Sequence, residues 1–164
     1  MNHSVSEDGL SRLAEMTGQR LGVSPWHAVT QEQVNLFADA THDHQWIHVD
    51  PERAARGPFG GPIAHGYLTL AMLPALLSPM LRVSGVALSV NYGLNRVRFT
   101  SPVRIGARVR AVADVLRVDA VEGGVQVHLS VTVEIEGCDK PACVAETITR
   151  LYREQVRKVE EAKE

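Results

Sequence analysis

IAHGYLTLAMLPALL, residues 63–77, is the most apolar long stretch of the chain. It is apolar almost all round, as a helix enclosed by other elements is. Pro74 lies inside it, and a proline there kinks a helix or ends its regular part. Downstream the hydrophobic period changes to two. VALSVNYGLNRVRF, residues 86–99, reads as a long strand bent near Gly93. Residues 106–119 read as a second strand, followed by a turn region at Glu122, Gly123 and Gly124. In the third, Val125, Val127, Leu129, Val131, Val133 and Ile135 alternate with Gln126, His128, Ser130, Thr132, Glu134 and Glu136. That pattern gives one buried and one solvated face of an antiparallel strand. Residues 137–141 turn the chain and 142–152 form the last strand. A sheet face this wide needs a cover, and 63–77 is the only segment apolar enough to supply it. The expected architecture is α+β, an antiparallel sheet wrapped round a long central helix.

Upstream, residues 4–18 carry weak helical periodicity through Leu10, Leu13, Ala14 and Met16, interrupted by Gly18 and Gly22. Residues 19–29 read as an extended lead-in. Thr30 has the character of an N-cap, and Gln33 three positions on completes a capping box. Val34, Phe37, Ala38 and Thr41 then fall at helical spacing, which predicts a short amphipathic helix over 31–41. Residues 52–56 make one further turn, and GPFGGP, residues 57–62, with three glycines and two prolines, is an irregular loop. The tail from Arg153 is polar and charged, and reads as a frayed helix or disorder. The chain divides into a helical extension over 1–18, one domain over 19–152 and a charged tail over 153–164.

Between the short helix and the loop lies FADATHDHQWIHVDPERA, residues 37–54. It packs His42, Asp43, His44, His48 and Asp50 together. Asp43 and His48 are five positions apart and do not share a helical face, so they converge only if the chain loops back between them. Trp46 and Ile47 read as an anchor pinning that loop into the core. A carboxylate and an imidazole in a partly apolar pocket make an acid/base pair tunable toward neutral pH. Farther on, His65 and Gly66 stand near the first turn of the 63–77 helix, where free backbone N–H groups favour an anionic oxygen.

With 164 residues there is enough chain for one domain with a real core. A formal charge of −2 gives no electrostatic case for nucleic acid. No apolar run reaches the roughly 20 residues of a membrane span. The N-terminus has no basic-then-apolar signal pattern, and two cysteines, Cys138 and Cys143, make no disulfide framework. The expected compartment is the reducing cytoplasm. His42, His44, His48 and Asp50 could be read as metal ligands, but His-x-His suits a strand and this segment leaves a helix. No metal or redox cofactor is expected.

The motif Thr41, His42, Asp43, His44, Gln45, Trp46, Ile47, His48 resembles that of the MaoC-like dehydratases and (R)-specific enoyl-CoA hydratases, in their NodN-like branch. The usual motif runs Ser/Thr, Gly, Asp, any residue, Asn, Pro, an aliphatic and His. VDPERAA and PFGGPIAHGYLTL continue the likeness, which spans roughly residues 19–152. Gln45 and Trp46 stand for Asn and Pro, as in the NodN-like branch. His42 stands for a glycine whose place beside the base concerns backbone conformation, and histidine tolerates positive φ poorly.

The resemblance implies a hot-dog fold and a hydro-lyase that adds water across a trans-2-enoyl thioester of coenzyme A or of acyl carrier protein. Asp43 is then the general base, and His48 holds the same water and shuttles a proton toward C2. The Gly66 N–H stabilises the thioester oxygen, and a face of the 63–77 helix lines an acyl tunnel. Gln45, His65, Tyr67 and Arg98 are candidates for substrate contact, with Arg98 and Arg96 sharing one strand face. It also implies a homodimer paired edge to edge. The alternatives are a hot-dog acyl-CoA thioesterase or a non-catalytic acyl-thioester-binding subunit.

Overall fold

The structure, a computed structural model, describes residues 9–153. The expected helix residues 4–8 and the tail residues 154–164 lie outside the described residues. Helix α1 (Gly9–Glu15) buries Leu10 and Leu13 in the main core. The lead-in forms two short strands, β1 (Arg20–Val23) and β2 (His27–Ala28). Helix α2 (Gln31–Thr41) has the expected bounds and both halves of the capping box. Thr30 accepts from the Gln33 N–H, and the Gln33 side chain accepts from the Thr30 N–H. Two short helices follow, α3 (Trp46–Val49) and α4 (Pro51–Ala55), with Asp50 capping the second.

The apolar segment that should form one long helix is split into α5 (Gly66–Ala71) and α6 (Leu73–Leu77). Pro74 sits in the first turn of α6, where its missing N–H costs nothing, so the break falls at Met72. The segment is not enclosed all round either. Leu68, Thr69, Leu73, Leu76 and Leu77 are buried, while Tyr67, Ala71, Pro74 and Ala75 are exposed.

Four long strands complete the chain: β3 (Val86–Phe99), β4 (Arg108–Val121), β5 (Gly124–Ile135) and β6 (Cys143–Arg153). They form one antiparallel sheet in the order β1-β4-β5-β6-β3, with β2 also on β4. Alternate residues Val127, Leu129, Val131, Val133 and Ile135 of β5 face the helices and are buried. Each side chain of that size contributes about 1.5–3 kcal/mol by burial. The other face of β5 is less wet than alternation suggests. His128 is buried there among Arg117, Asp119 and Gln126, and Arg150 donates to Gln126.

Strand β3 bends as expected, with a register shift between Asn91 and Gly93. A second shift lies between Asn95 and Arg98, where Arg96 takes φ 49°. Arg96 lies within that irregularity, with Asn95 and Arg98 on either side of it opposite Glu146 and Val144 of β6. Arg96 approaches Glu146 at 3.8 Å, and Arg98 donates to the Val97 carbonyl.

Candidate active site

The site is built where α2 ends. His42 adopts φ 61°, ψ 20° as the C-cap, the left-handed conformation that most side chains resist. This is the backbone turn for which a glycine was expected. It swings the chain off the helix axis, and Asp43 Oδ1 accepts from the Gln45 N–H at 3.4 Å. The chain then winds one helical turn, α3, which carries His48 back toward Asp43.

Tertiary hydrogen bonds fix that turn. The Ile63 N–H donates to the Ile47 carbonyl at 3.0 Å, and the Gln31 amide donates to the His48 carbonyl at 2.8 Å. His48 Nδ1 lies 2.7 Å from the Ile63 carbonyl. A carbonyl only accepts, so Nδ1 carries the proton and Nε2 is left as a bare acceptor. The expected anchor is displaced by one or two residues. Trp46 and Ile47 are only half-buried, Trp46 lying under the Arg53 guanidinium, and the buried residue of the turn is His48 itself. Burial pushes the His48 pKa below its ordinary value, and nearby His65 pushes the same way. The Ile63 hydrogen bond and the Asp43 charge oppose both.

His65, at 2% exposure, joins the two expected partners. Its ring stacks on His48 with centroids 3.8 Å apart and packs against Phe37 at 5.0 Å. Its Nε2 donates to the Asp43 backbone carbonyl at 2.9 Å, and lies 4.0 Å from the Asp43 carboxylate. Asp43, His48 and His65 bring ligand-type atoms within 4.8 Å of one another. His65 Nε2 holds its proton for the Asp43 carbonyl, so the nitrogen nearest Asp43 has no lone pair for a metal. The His42, His44 and Asp50 ligand set does not assemble: His44 pairs with Asp39 at 2.8 Å and Asp50 caps α4.

A cavity of about 300 Å³ opens beside His48. Phe59, Ile63, Gly66, Thr69 and Phe99 are among its walls. Only the first turn of α5 lines it, not a face of the whole 63–77 segment. Gly66 is the first residue of α5, so its N–H has no intrahelical acceptor. A Cβ at Gly66 would meet the Phe99 ring at 2.7 Å, so packing also demands a glycine there.

The remaining candidates lie elsewhere. Asp43 stands with its side chain 53% exposed, and neither it nor Gln45 forms part of the cavity wall. Tyr67 is 71% exposed, edge-on to Phe99, and Arg98 is exposed on β3. Sequence reasoning missed Phe59, Thr69 and Phe99 as walls. It also missed the place of His65 between Asp43 and His48. The available signal was a histidine inside an otherwise apolar segment, which burial forces to find a hydrogen-bond partner.

The family described as MaoC like domain matches residues 12–136. The chain is 58% identical over 144 residues to 3-hydroxyacyl-thioester dehydratase Z of Mycobacterium tuberculosis, covering 87% of this chain and 95% of that protein. It is 49% identical over 148 residues to nodulation protein N of Rhizobium meliloti, covering 88% and 91%. Among solved structures it resembles the R-hydratase PhaJ1 of Pseudomonas aeruginosa, with TM-score 0.69, 25% identity, and 84% and 83% of the two chains covered. The (R)-hydratase of A. caviae superposes with TM-score 0.66 at 26% identity, over 81% of this chain and 94% of that one.

Proposed function

Because the chain belongs to the MaoC-like dehydratase family, in its NodN-like branch and with its α+β hot-dog fold, we propose that it is an (R)-specific enoyl-CoA hydratase and 3-hydroxyacyl-thioester dehydratase. It adds water across the double bond of a trans-2-enoyl thioester, or removes it in the reverse direction. The observation that carries this reading is the approach of Asp43 to His48 through His65, with His48 and Gly66 on one cavity wall. The chemistry needs a base for water, a donor for the thioester oxygen and a dry slot for the acyl chain.

The hydrogen bonds support one change in the expected roles. His48 spends Nδ1–H on Ile63, which leaves Nε2 as its acceptor, and the residue lines the cavity. Asp43 is largely exposed and outside that wall. His48 Nε2 therefore takes a proton from the attacking water while the Asp43 carboxylate holds the water's other hydrogen. The hydroxide bonds to C3, the C2–C3 π pair moves toward the thioester carbonyl, and the Gly66 N–H stabilises the enolate oxygen. The proton on His48 then passes to C2. The same steps reversed give dehydration.

The protein is also a homodimer in this reading, supported by its β3 edge. Among the described residues β3 pairs only with β6. Its other edge is open, and Leu88, Val90, Tyr92, Leu94 and Phe99 are exposed along it. Native proteins cover or blunt such edges. Sedimentation at micromolar concentration reports a dimer, and Val90→Lys shifts it toward monomer.

The deciding assay is loss of the enoyl-thioester absorbance with crotonyl-CoA and longer trans-2-enoyl-CoAs. Turnover that disappears in Asp43→Asn and His48→Gln supports the reading. A folded dimer inert at every chain length, with coenzyme A and with acyl carrier protein as carrier, removes it.

A further inference from the structure

We infer that His65 is the positioning residue of the acid/base pair, one imidazole that sets where Asp43 and His48 stand relative to each other. This rests on the hydratase reading for its kinetic consequences, but not for its geometry. Three contacts lead to it. The ring of His65 lies on the ring of His48, 3.8 Å between centroids and 26° from parallel. Its Nε2–H holds the Asp43 carbonyl at 2.9 Å. It is also the residue immediately before Gly66, capping the short helix whose first N–H is Gly66. A shift of this one side chain therefore displaces both members of the acid/base pair.

The contacts to Asp43 are the informative ones. Asp43 sits just beyond a left-handed turn, with its side chain largely in solvent. Its carboxylate accepts one long bond from the Gln45 N–H. The His65 bond reaches it from 22 residues away and grips the backbone rather than the carboxylate. The Asp43 backbone is thereby held without the His65 N–H being spent on the carboxylate.

His65 Nδ1 is buried with no hydrogen-bond partner. An orphaned buried acceptor costs about 1–3 kcal/mol. A phenylalanine would pack and stack in that apolar setting without the penalty, so what the imidazole adds is the Nε2–H bond to Asp43. His65 is 2% exposed and does not line the cavity beside His48.

The stack has a second effect. Two imidazoles in face contact cannot both be charged without strong repulsion. The titratable groups facing His48 are His65, which disfavours its charged form, and Asp43, which favours it. His65 thus helps keep His48 a neutral base.

His65→Phe and His65→Gln separate the two contacts. The first keeps a stacked ring and loses the N–H; the second keeps an N–H at the Nε2 position and loses the ring. His65→Phe lowers kcat about 10- to 100-fold with KM unchanged, the scale of a roughly 1 Å misplacement. It also moves the acid limb of the pH–rate profile upward, because the group disfavouring charged His48 is gone. His65→Gln restores part of kcat while the acid limb stays displaced.

Ring nitrogen shifts by NMR in the unaltered protein place the proton on Nε2 of His65 and on Nδ1 of His48. That measurement needs no variant to fold. NMR titration of His48 in both variants reads the coupling without any turnover. If the unaltered protein hydrates no enoyl thioester, the functional reading fails while the NMR still decides this inference. Wild-type kcat with an unmoved acid limb in both variants overturns it. So does a His65 proton on Nδ1, or a His48 titration indifferent to both substitutions.

Discussion

The two sides of the site are built by opposite means. The Asp43 side is a solvent-exposed loop of local bonds: a left-handed cap at His42, an Asp43–Gln45 contact and a His44–Asp39 pair. The His48 side is buried and made of long-range contacts: hydrogen bonds to Ile63 and Gln31 and a ring stack on His65. The exposed side leaves the Asp43 carboxylate open to water. The buried side takes water away from an imidazole and so keeps it neutral. A reactive pair of unlike groups thus needs two environments within a few ångströms, and the one side chain spanning them is His65.

Removing either partner is the severest way to break that contrast. Asp43→Asn and His48→Gln each lower the hydration rate by about 10² to 10⁴. Thermal melts separate them: His48→Gln, losing a buried bond to Ile63, lowers Tm, while Asp43→Asn leaves it nearly unchanged. Equal stability losses would mean the two sides are not differently built. Next comes Gly66→Ala, whose Cβ meets the Phe99 ring. Overpacking of this kind costs about 1–3 kcal/mol, so urea melts should show a lower midpoint and the assay a lower kcat.

The pH dependence sharpens the comparison. The folded His48 pKa lies below its ordinary value of 6.5. With neutral His48 as the proposed base, kcat/KM is flat above that value and falls about tenfold per pH unit once the lowered pKa is passed. For stability, the unfolded chain protonates His48 first. The folded state therefore loses stability as pH drops from the unfolded value through the folded one, and is unaffected by this group above it. An acid limb above the ordinary histidine range would contradict burial as the dominant cause. The smallest effect is at His42. Its left-handed backbone is relieved by His42→Gly, which raises stability by up to about 1 kcal/mol in urea unfolding with kcat unchanged. A loss of stability instead would show the His42 side chain holding the loop.

What was legible follows from range. The capping box of α2 involves residues three apart, and its bounds are readable to the residue. The β5 alternation and the break near Pro74 are equally local. Helix α3 is only four residues long, too short for periodicity to register, so it looked like loop and its buried side chain was misplaced from His48 to Trp46 and Ile47. The Asp43 and His48 pair was visible as a motif. The His65 contacts were not, because they lie 22 and 17 positions away in the chain and depend on how α5 docks. Alternation in β3 likewise could not tell an edge strand from a central one.

Strand order carries a consequence for how the molecule comes to be folded. β6 is the last strand in the chain, yet it lies between β5 and β3. The β4–β5 hairpin can close early through neighbouring residues. β3, completed at Phe99, must wait for residues 143–153 before either of its edges is paired within the chain. During synthesis its apolar side chains are therefore exposed while some 50 further residues emerge, and closure of this non-local pairing is the slow, aggregation-exposed step expected of high contact order.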